Sequence, residues 1–281
     1  MRLFPSRRSL WPLFRAVGCL AVALAAGGLS GCQTPGDVTG SVRASDAAPT
    51  DDAGWRASAD RWAKAYDAQP GEKLASINYA RALRALNRYA EAVAIMRVAA
   101  VKASRDYDVL GAYGKALADD GDLQMARDVL SKSYSQERPD WTIMSVQGAV
   151  EDKLGNFDAA QHYYEEALKI APGEPSILSN LGLSYALSQR LPQAEATLKD
   201  AASSPRADTR VRQNLALVLA LEGKFAEAEK VSERDMSPQD AANNVRSIQQ
   251  MIAQSDSWKA LQQKGGTHTV KLTPPPDAPQ G

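Results

Sequence analysis

The sequence predicts an all-α fold, a right-handed α-solenoid of five 34-residue repeats with a helical cap at each end. Three series of residues recur at this period, and the first contains only small residues, at Ala80, Gly114, Gly148, Gly182 and Ala216. The second series contains only alanine, at Ala92, Ala126, Ala160, Ala194 and Ala228. The third consists mostly of residues that accept the left-handed conformation ending a helix, at Asn87, Gly121, Gly155, Gln189 and Gly223. Two short helices per unit, stacked on copies of the same unit, account for all three series.

The unit at residues 175–208 shows the pattern most completely. Apolar residues at helical spacing predict one helix over 175–188 and a second over 191–203. The unit holds Leu181-Gly182, Tyr185, Ala194, Leu198 and Ala201 at the offsets of the tetratricopeptide signature, which is L-G-x2-Y, then A-x3-F, then A. This resemblance implies a tetratricopeptide solenoid with repeats at 73–106, 107–140, 141–174, 175–208 and 209–242.

Partial units close both ends of the predicted repeat domain, which spans residues 54–254. A helix over about 55–68 matches the second helix of a repeat and predicts a capping half repeat at 54–72. After Ser237-Pro238, apolar residues on one face predict a capping helix over 239–254. The composition of residues 255–281 predicts a disordered tail.

The start of the chain predicts a lipid anchor. Residues 1–31 have the form of a secretion signal, because a basic segment precedes an apolar run from Ala16 to Leu29. The Leu-Ser-Gly-Cys that ends at Cys32 resembles the lipobox of bacterial lipoproteins, which are cleaved before the cysteine and acylated on it. The resemblance implies lipidation of Cys32, and Gln33 after it implies the outer membrane. Residues 32–53 lack periodicity and aromatic side chains, which predicts a flexible tether for repeats that face the periplasm.

Charge and reactive residues argue against two classes of function. The leader holds four basic residues and no acidic one, so the rest of the chain has a formal charge of −4 and does not favour nucleic acid. Cys19 lies in the leader and Cys32 is the predicted acylation site, which leaves no thiol for a metal or a disulfide. His162 and His268 have no partner residues in a catalytic pattern. We therefore predict that the protein is not an enzyme and that it uses neither a cofactor nor a metal.

In tetratricopeptide folds the first helices of the repeats line a groove, so their polar residues are candidates for contact with a protein partner. These candidates are Asn78, Arg81, Arg84, Lys115, Asn180 and Asn214. Asn180 and Asn214 are one repeat apart, which suits pairing with the backbone of an extended peptide. Local hydrogen bonds between helices are an equally good interpretation of both asparagines.

The chain as a whole resembles the TadD family, the tetratricopeptide lipoproteins of the tight-adherence (Flp) pilus assembly system. The resemblance covers CQTPGDVTGS, LGAYGKALAD, APGEPSILSNLGLSYALS, VRQNLALVLALEGKFAEAE and SPQDAANNVRSIQQM. It implies a non-enzymatic assembly factor whose partner is the pilus secretin or another Tad component, and which helps the secretin to localise or to multimerise. A lipoprotein adaptor that docks cell-wall hydrolases is the alternative.

Overall fold

The computed structural model describes residues 48–265, and side chains as far as Gln254. The predicted signal peptide, the lipidation site Cys32, His268 and residues 266–281 lie outside the described residues. The described residues form twelve α-helices and no strand. The chain divides into two compact units, one ending at Asn214 and the other beginning at Leu215.

The first unit consists of helices joined by short turns. It contains α1 (Asp52–Ala68), α2 (Lys73–Ala85), α3 (Tyr89–Lys102), α4 (Tyr107–Asp120), α5 (Leu123–Leu130), α6 (Trp141–Leu154), α7 (Phe157–Ile170), α8 (Pro175–Leu187), α9 (Leu191–Ser203) and the start of α10 (Thr209–Leu221). The second unit contains the rest of α10, α11 (Phe225–Ser232) and α12 (Pro238–Gly265). The helices predicted over 175–188 and 191–203 are confirmed, because α8 ends one residue before the predicted end and α9 has the predicted bounds.

The turn between the two helices of each repeat has the predicted backbone conformation. Gly121, Gly155 and Gly223 have φ angles of 91°, 82° and 80°. Asn87 and Gln189 have φ angles of 59° and 65°, and they are the residues other than glycine with positive φ in the described part of the chain. The left-handed residue lets the chain reverse within two or three residues, which brings the second helix back along the first.

The start of each first helix is capped by an acidic residue at the same 34-residue period. The carboxylates of Glu72, Asp106, Asp140, Glu174 and Asp208 accept hydrogen bonds from backbone N–H groups in the first turns of α2, α4, α6, α8 and α10. A carboxylate at this position satisfies unpaired N–H groups and also interacts favourably with the helix dipole. This series therefore fixes where each repeat begins.

The core of a repeat is a close contact between its two helices. A Cβ atom added at Gly182 would lie 2.6 Å from Cγ of Leu198, and one added at Gly148 would lie 2.6 Å from the ring of Tyr164. At Gly114 the added atom would lie 2.5 Å from Leu130. The five alanines of the second series are fully buried as well. The small residues thus allow the two backbones to approach until large side chains fill the space between them.

The observed helices differ from the prediction at both ends of the repeat domain. The predicted tether ends early, because α1 begins at Asp52 and Asp51 caps it by accepting a hydrogen bond from the N–H of Gly54 at 2.8 Å. At the other end the prediction of disorder from residue 255 is wrong for 255–265, because α12 continues to Gly265. Neither glycine nor proline occurs between Gln239 and Lys264, so no residue in this stretch interrupts the helix.

Two second helices are shorter than their counterparts. α5 and α11 have 8 residues each, whereas α3 and α7 have 14. After α5 the chain takes an irregular path through residues 131–140 before α6 begins. Arg138 in this link is bound to Asp108 of α4 at 2.9 Å, which ties the link back to the first helix of its own repeat.

Candidate functional site

The first helices form one continuous face of the first unit. α2, α4, α6 and α8 contact one another in succession, whereas the second helices of neighbouring repeats have at most marginal contact. Elements that approach more closely lie on the inner side of a curved stack, so the first helices line the inner face of this unit. The predicted groove residues on the first helices therefore belong to this inner face.

Asn78 and the three cationic candidates interact within the protein. Asn78 is 7% exposed and donates a hydrogen bond to the carbonyl oxygen of Leu74 at 2.9 Å, in its own helix. Arg84 donates to Asp119 of the next repeat at 2.7 Å. Lys115 donates to the hydroxyl of Thr142 at 3.4 Å. Arg81, which is half-buried, also interacts within the chain.

The two asparagines make equivalent bonds. The side-chain N–H of Asn180 donates to the hydroxyl of Ser145 at 3.1 Å, and that of Asn214 donates to Ser179 at 2.9 Å. The second interpretation from the sequence, local bonding between helices, is therefore what the structure shows for these amide groups. An asparagine has two N–H donors and an acceptor oxygen, so one bond to serine uses only part of its capacity.

These bonds share one separation along the chain. Arg84 and Asp119, Ser145 and Asn180, and Ser179 and Asn214 are each 35 residues apart. A step of 35 is one repeat plus one residue, and it joins first helices of neighbouring repeats. Polar residues of the inner face thus fix the register of the stack, and they also present hydrogen-bonding groups along its length.

A largely buried carboxylate that the sequence analysis missed lies between the third and fourth repeats. Asp152 accepts hydrogen bonds from Ser184 at 2.6 Å and from the hydroxyl of Tyr164 at 3.0 Å. Burial raises the pKa of Asp152 to about 6, because it disfavours the charged form more than the two hydrogen bonds favour it. The sequence contains a partial signal for this residue, because the equivalent positions of three other repeats hold alanine, at Ala118, Ala186 and Ala220, whereas the first full repeat has Arg84 there.

A second missed cluster joins the beginnings of neighbouring first helices. The Lys73 ammonium lies 2.8 Å from Asp106 and 2.6 Å from Asp108, and Arg138 binds the other oxygen of Asp108. Burial alone would raise the pKa of Asp106, but hydrogen bonds from Lys73 and from the N–H of Val109 outweigh it and lower the pKa. The groups are partly exposed, so the cluster contributes to register more than to net stability.

Of the two histidines, His162 lies in the described part of the chain. His162 is exposed on α7, with its ring 6.4 Å from that of Tyr163. Among residues 48–254 there is no group of three or more residues arranged to hold a metal ion. In the described part of the chain, no helix has both the length and the apolar character needed to cross a membrane.

Two family models match segments of the chain. Both are described as "Tetratricopeptide repeat", and they match residues 153–218 and 74–97. The matched segments cover most of α2, α3 and α10 and the whole of α7, α8 and α9. No curated protein sequence matches this chain.

Solved structures show a similar fold at low sequence identity. A monomeric mutant of IFIT1 with m7Gppp-AAAA is 14% identical, with a TM-score of 0.56 over 70% of this chain and 49% of its own length. YrrB, described as a TPR protein with an unusual peptide-binding site, is 16% identical over 71% of this chain and 99% of its own, with a TM-score of 0.46. MamA from Desulfovibrio magneticus RS-1 is 21% identical over 62% and 96%, with a TM-score of 0.45. The likeness to IFIT1 supports the helical-repeat fold and nothing beyond it.

Proposed function

We propose that this protein is a lipid-anchored scaffold for assembly of a tight-adherence (Flp) pilus at the outer membrane. The proposal starts from the match of two segments of the chain to models of the tetratricopeptide repeat. Tetratricopeptide repeats form protein-interaction scaffolds, so the expected partners are proteins. The finer proposal is that the partner is the pilus secretin or another Tad component, and that binding aids secretin localisation or multimerisation. It is supported by the resemblance of the leader, the number of repeats and the closing helix to the TadD family.

The observation that carries the scaffold proposal is the inner face of the first unit. Four successive first helices contact one another there, and their polar side chains recur along the face. An extended segment of a partner also has a repeating backbone, with donors and acceptors at regular intervals. A periodic row of amide, hydroxyl and cationic groups suits such a segment better than it suits a compact small molecule.

Reversal of the charge of a lysine can test the role of the inner face, with a second lysine as a matched control. Lys115→Glu changes a cation on the inner face, whereas Lys169→Glu changes an exposed cation on an outward helix. We expect Lys115→Glu to reduce piliation and secretin capture in cells, and Lys169→Glu to leave both unchanged. Both variants should be folded by circular dichroism and should reach the membrane in normal amounts. Equal effects of the two substitutions would contradict a role for the inner face.

Deletion of the gene tests the pilus assignment itself. We expect cells without the protein to make pilin but no surface pili, with the secretin mislocalised or not multimerised. Native gels of the secretin and membrane fractionation measure both effects. Normal piliation together with misplaced cell-wall hydrolase activity would instead support the adaptor function.

The lipid anchor has a separate test at Cys32. Because serine cannot be acylated through sulfur, Cys32→Ser should leave an uncleaved precursor or release the protein from the membrane. Metabolic labelling with a fatty acid and fractionation of the envelope measure the result. A processed Cys32→Ser protein that sediments with the outer membrane like the wild type would contradict lipidation at this residue.

A further inference from the structure

The outward face of α3 differs from the outward faces of its counterparts. Val98 and Val101 are 38% and 79% exposed, and Ala94 one turn earlier is exposed too. At the position of Val98, the equivalent helices α7 and α9 carry Glu166 and Asp200. At the position of Val101 they carry Lys169 and Ser203. An apolar stripe therefore occurs on α3 where these two later repeats have a polar surface.

Three cations surround this stripe. Arg97, Lys102 and Arg105 are all exposed, and among the described residues no carboxylate forms an ion pair with any of them. Lys102 donates a hydrogen bond to the carbonyl oxygen of Pro70, which leaves its positive charge without a counterion. Two acids close to these cations in the sequence are engaged elsewhere, since Glu91 binds Arg88 and Asp106 binds Lys73. The face is apolar at its centre and positively charged around it.

We propose that this outward face of α3 docks onto anionic phospholipid headgroups of the leaflet that holds the lipid anchor, an inference that rests on the proposed lipidation of Cys32. Apolar side chains between basic ones bind an anionic membrane surface, because the former enter the interface and the latter pair with phosphate groups. The docked α3 would hold the first repeat against the lipid surface and turn the inner face of the stack away from it.

The small size of the face favours a membrane over a second copy of the chain as its partner. Two valines and an alanine fall far short of the roughly 800 Å² per partner that a stable protein interface buries. A tethered protein needs much less, because the anchor keeps the face at a high effective concentration near the lipid. A weak contact is then populated without any further partner.

The length of the tether permits this docking. Residues 33–47 separate Cys32 from the first described residue and reach at most about 50 Å when fully extended. The face lies at the C-terminal end of α1, because Val98 and Lys102 pack beside Gly71 in the turn that follows α1. α1 has 17 residues, so it spans about 25 Å. The anchor can therefore reach a membrane that touches α3.

Spin labels on the full lipidated protein test the docking. Cys19 lies in the leader and Cys32 is acylated in the proposed mature form, so Val101→Cys provides its one free thiol. Lys169→Cys, two repeats later at the equivalent position, is the matched control. In vesicles of phosphatidylethanolamine and phosphatidylglycerol, we expect collisions of a water-soluble nickel chelate with the Val101 label to fall several-fold relative to the Lys169 label. Phosphatidylcholine vesicles should show little difference between the two positions.

A second substitution separates docking from a change in fold. Val98→Glu introduces the residue type that α7 carries at this position, so the helix can accept it. It should restore chelate access at the Val101 label while the melting temperature stays near that of the unsubstituted protein. A Val101 label as accessible as the Lys169 label, or unaffected by Val98→Glu, overturns the proposal. Close distances between Val101 labels on two protein copies also overturn it, because they assign the face to self-association.

The same samples distinguish this inference from the proposed anchor. A protein that does not float with vesicles contradicts lipidation at Cys32, and the docking fails with it. A protein that floats while the Val101 label remains in water leaves the anchor correct and overturns the docking alone.

Discussion

Gly182 and Leu198 illustrate how a single pair of residues sets the distance between two helices. An alanine methyl at Gly182 would lie 2.6 Å from Cγ of the fully buried Leu198, so one side chain must move. Overpacking costs about 1–3 kcal/mol, which outweighs the gain of about 1 kcal/mol in helix propensity. We expect Gly182→Ala to lower the free energy of unfolding by about 1 kcal/mol, as measured by urea denaturation.

The first full repeat suggests the control for this experiment. There the equivalent pair is Ala80 and Met96, both buried in the same cluster, so a methyl group is compatible with the more flexible methionine. Adding Leu198→Met to Gly182→Ala should therefore recover part of the lost stability. Strictly additive effects of the two substitutions would show that this pair does not set the helix distance.

Asp152 predicts an unusual pH dependence. Its pKa in the folded protein, about 6, is above the ordinary value of 3.8, so its contribution to stability is present below pH 4 and is lost as the pH rises through 6. The difference amounts to at most about 3 kcal/mol. We expect the wild type to lose stability relative to Asp152→Asn between pH 4 and pH 7.

Asparagine is the matched substitution because its side-chain oxygen can still accept a hydrogen bond from Ser184. Comparing the two proteins at each pH cancels the contributions of other carboxylates, such as Asp106, whose lowered pKa acts in the opposite direction. Parallel stability curves for the two proteins would mean that Asp152 titrates normally.

At the scale of an element, the turn at Gln189 has backbone strain that the turns with glycine at the same position avoid. Gln189 has a φ of 65°, whereas Gly121, Gly155 and Gly223 occupy the same turn in other repeats. The left-handed conformation costs an ordinary residue about 1 kcal/mol or more, which exceeds the extra entropy of glycine in the unfolded chain. Gln189→Gly should raise the melting temperature. Asn87→Gly should raise it less, because asparagine tolerates this conformation better.

The bond between Ser145 and Asn180 joins two first helices and should be visible as a coupling between them. A hydrogen bond of this kind contributes about 1 kcal/mol to stability. A double-mutant cycle of Ser145→Ala and Asn180→Ala should therefore give a coupling energy of about that size. A cycle with no coupling would show that the asparagine does not depend on the serine and is available to a partner.

At the scale of the whole molecule, the period in the sequence was sufficient to predict most of the architecture. Ala194, Gly182 and the turn residues are constrained by backbone approach or by positive φ, and few amino acids meet either requirement. Such positions carry small residues, or residues mostly tolerant of positive φ, at a fixed period, so one sequence reveals them. The acidic caps beginning at Glu72 had the same period and could have been found in the same way.

The side-chain contacts were less predictable for a physical reason. Asn180 bonds to Ser145, and Asp152 bonds to Ser184, between helices whose relative rotation no single repeat determines. A polar side chain on the inner face can turn toward a neighbouring helix or toward a partner, and both choices fit the same spacing. The end of α12 differs from the prediction because composition alone predicts disorder from residue 255, although residues 255–264 contain nothing that breaks a helix.

The short α5 also determines how the first unit responds to force. A stack whose repeats contact only their neighbours is elastic, and its deformation concentrates at the most flexible repeat. α5 has 8 residues where α3 and α7 have 14, and the irregular link 131–140 replaces the missing helix. We expect bending under load to concentrate at this link, so that the repeats of the first unit before and after it move as stiffer bodies. A long partner pulled along the inner face would be accommodated by bending at this link, without unfolding of the repeats on either side.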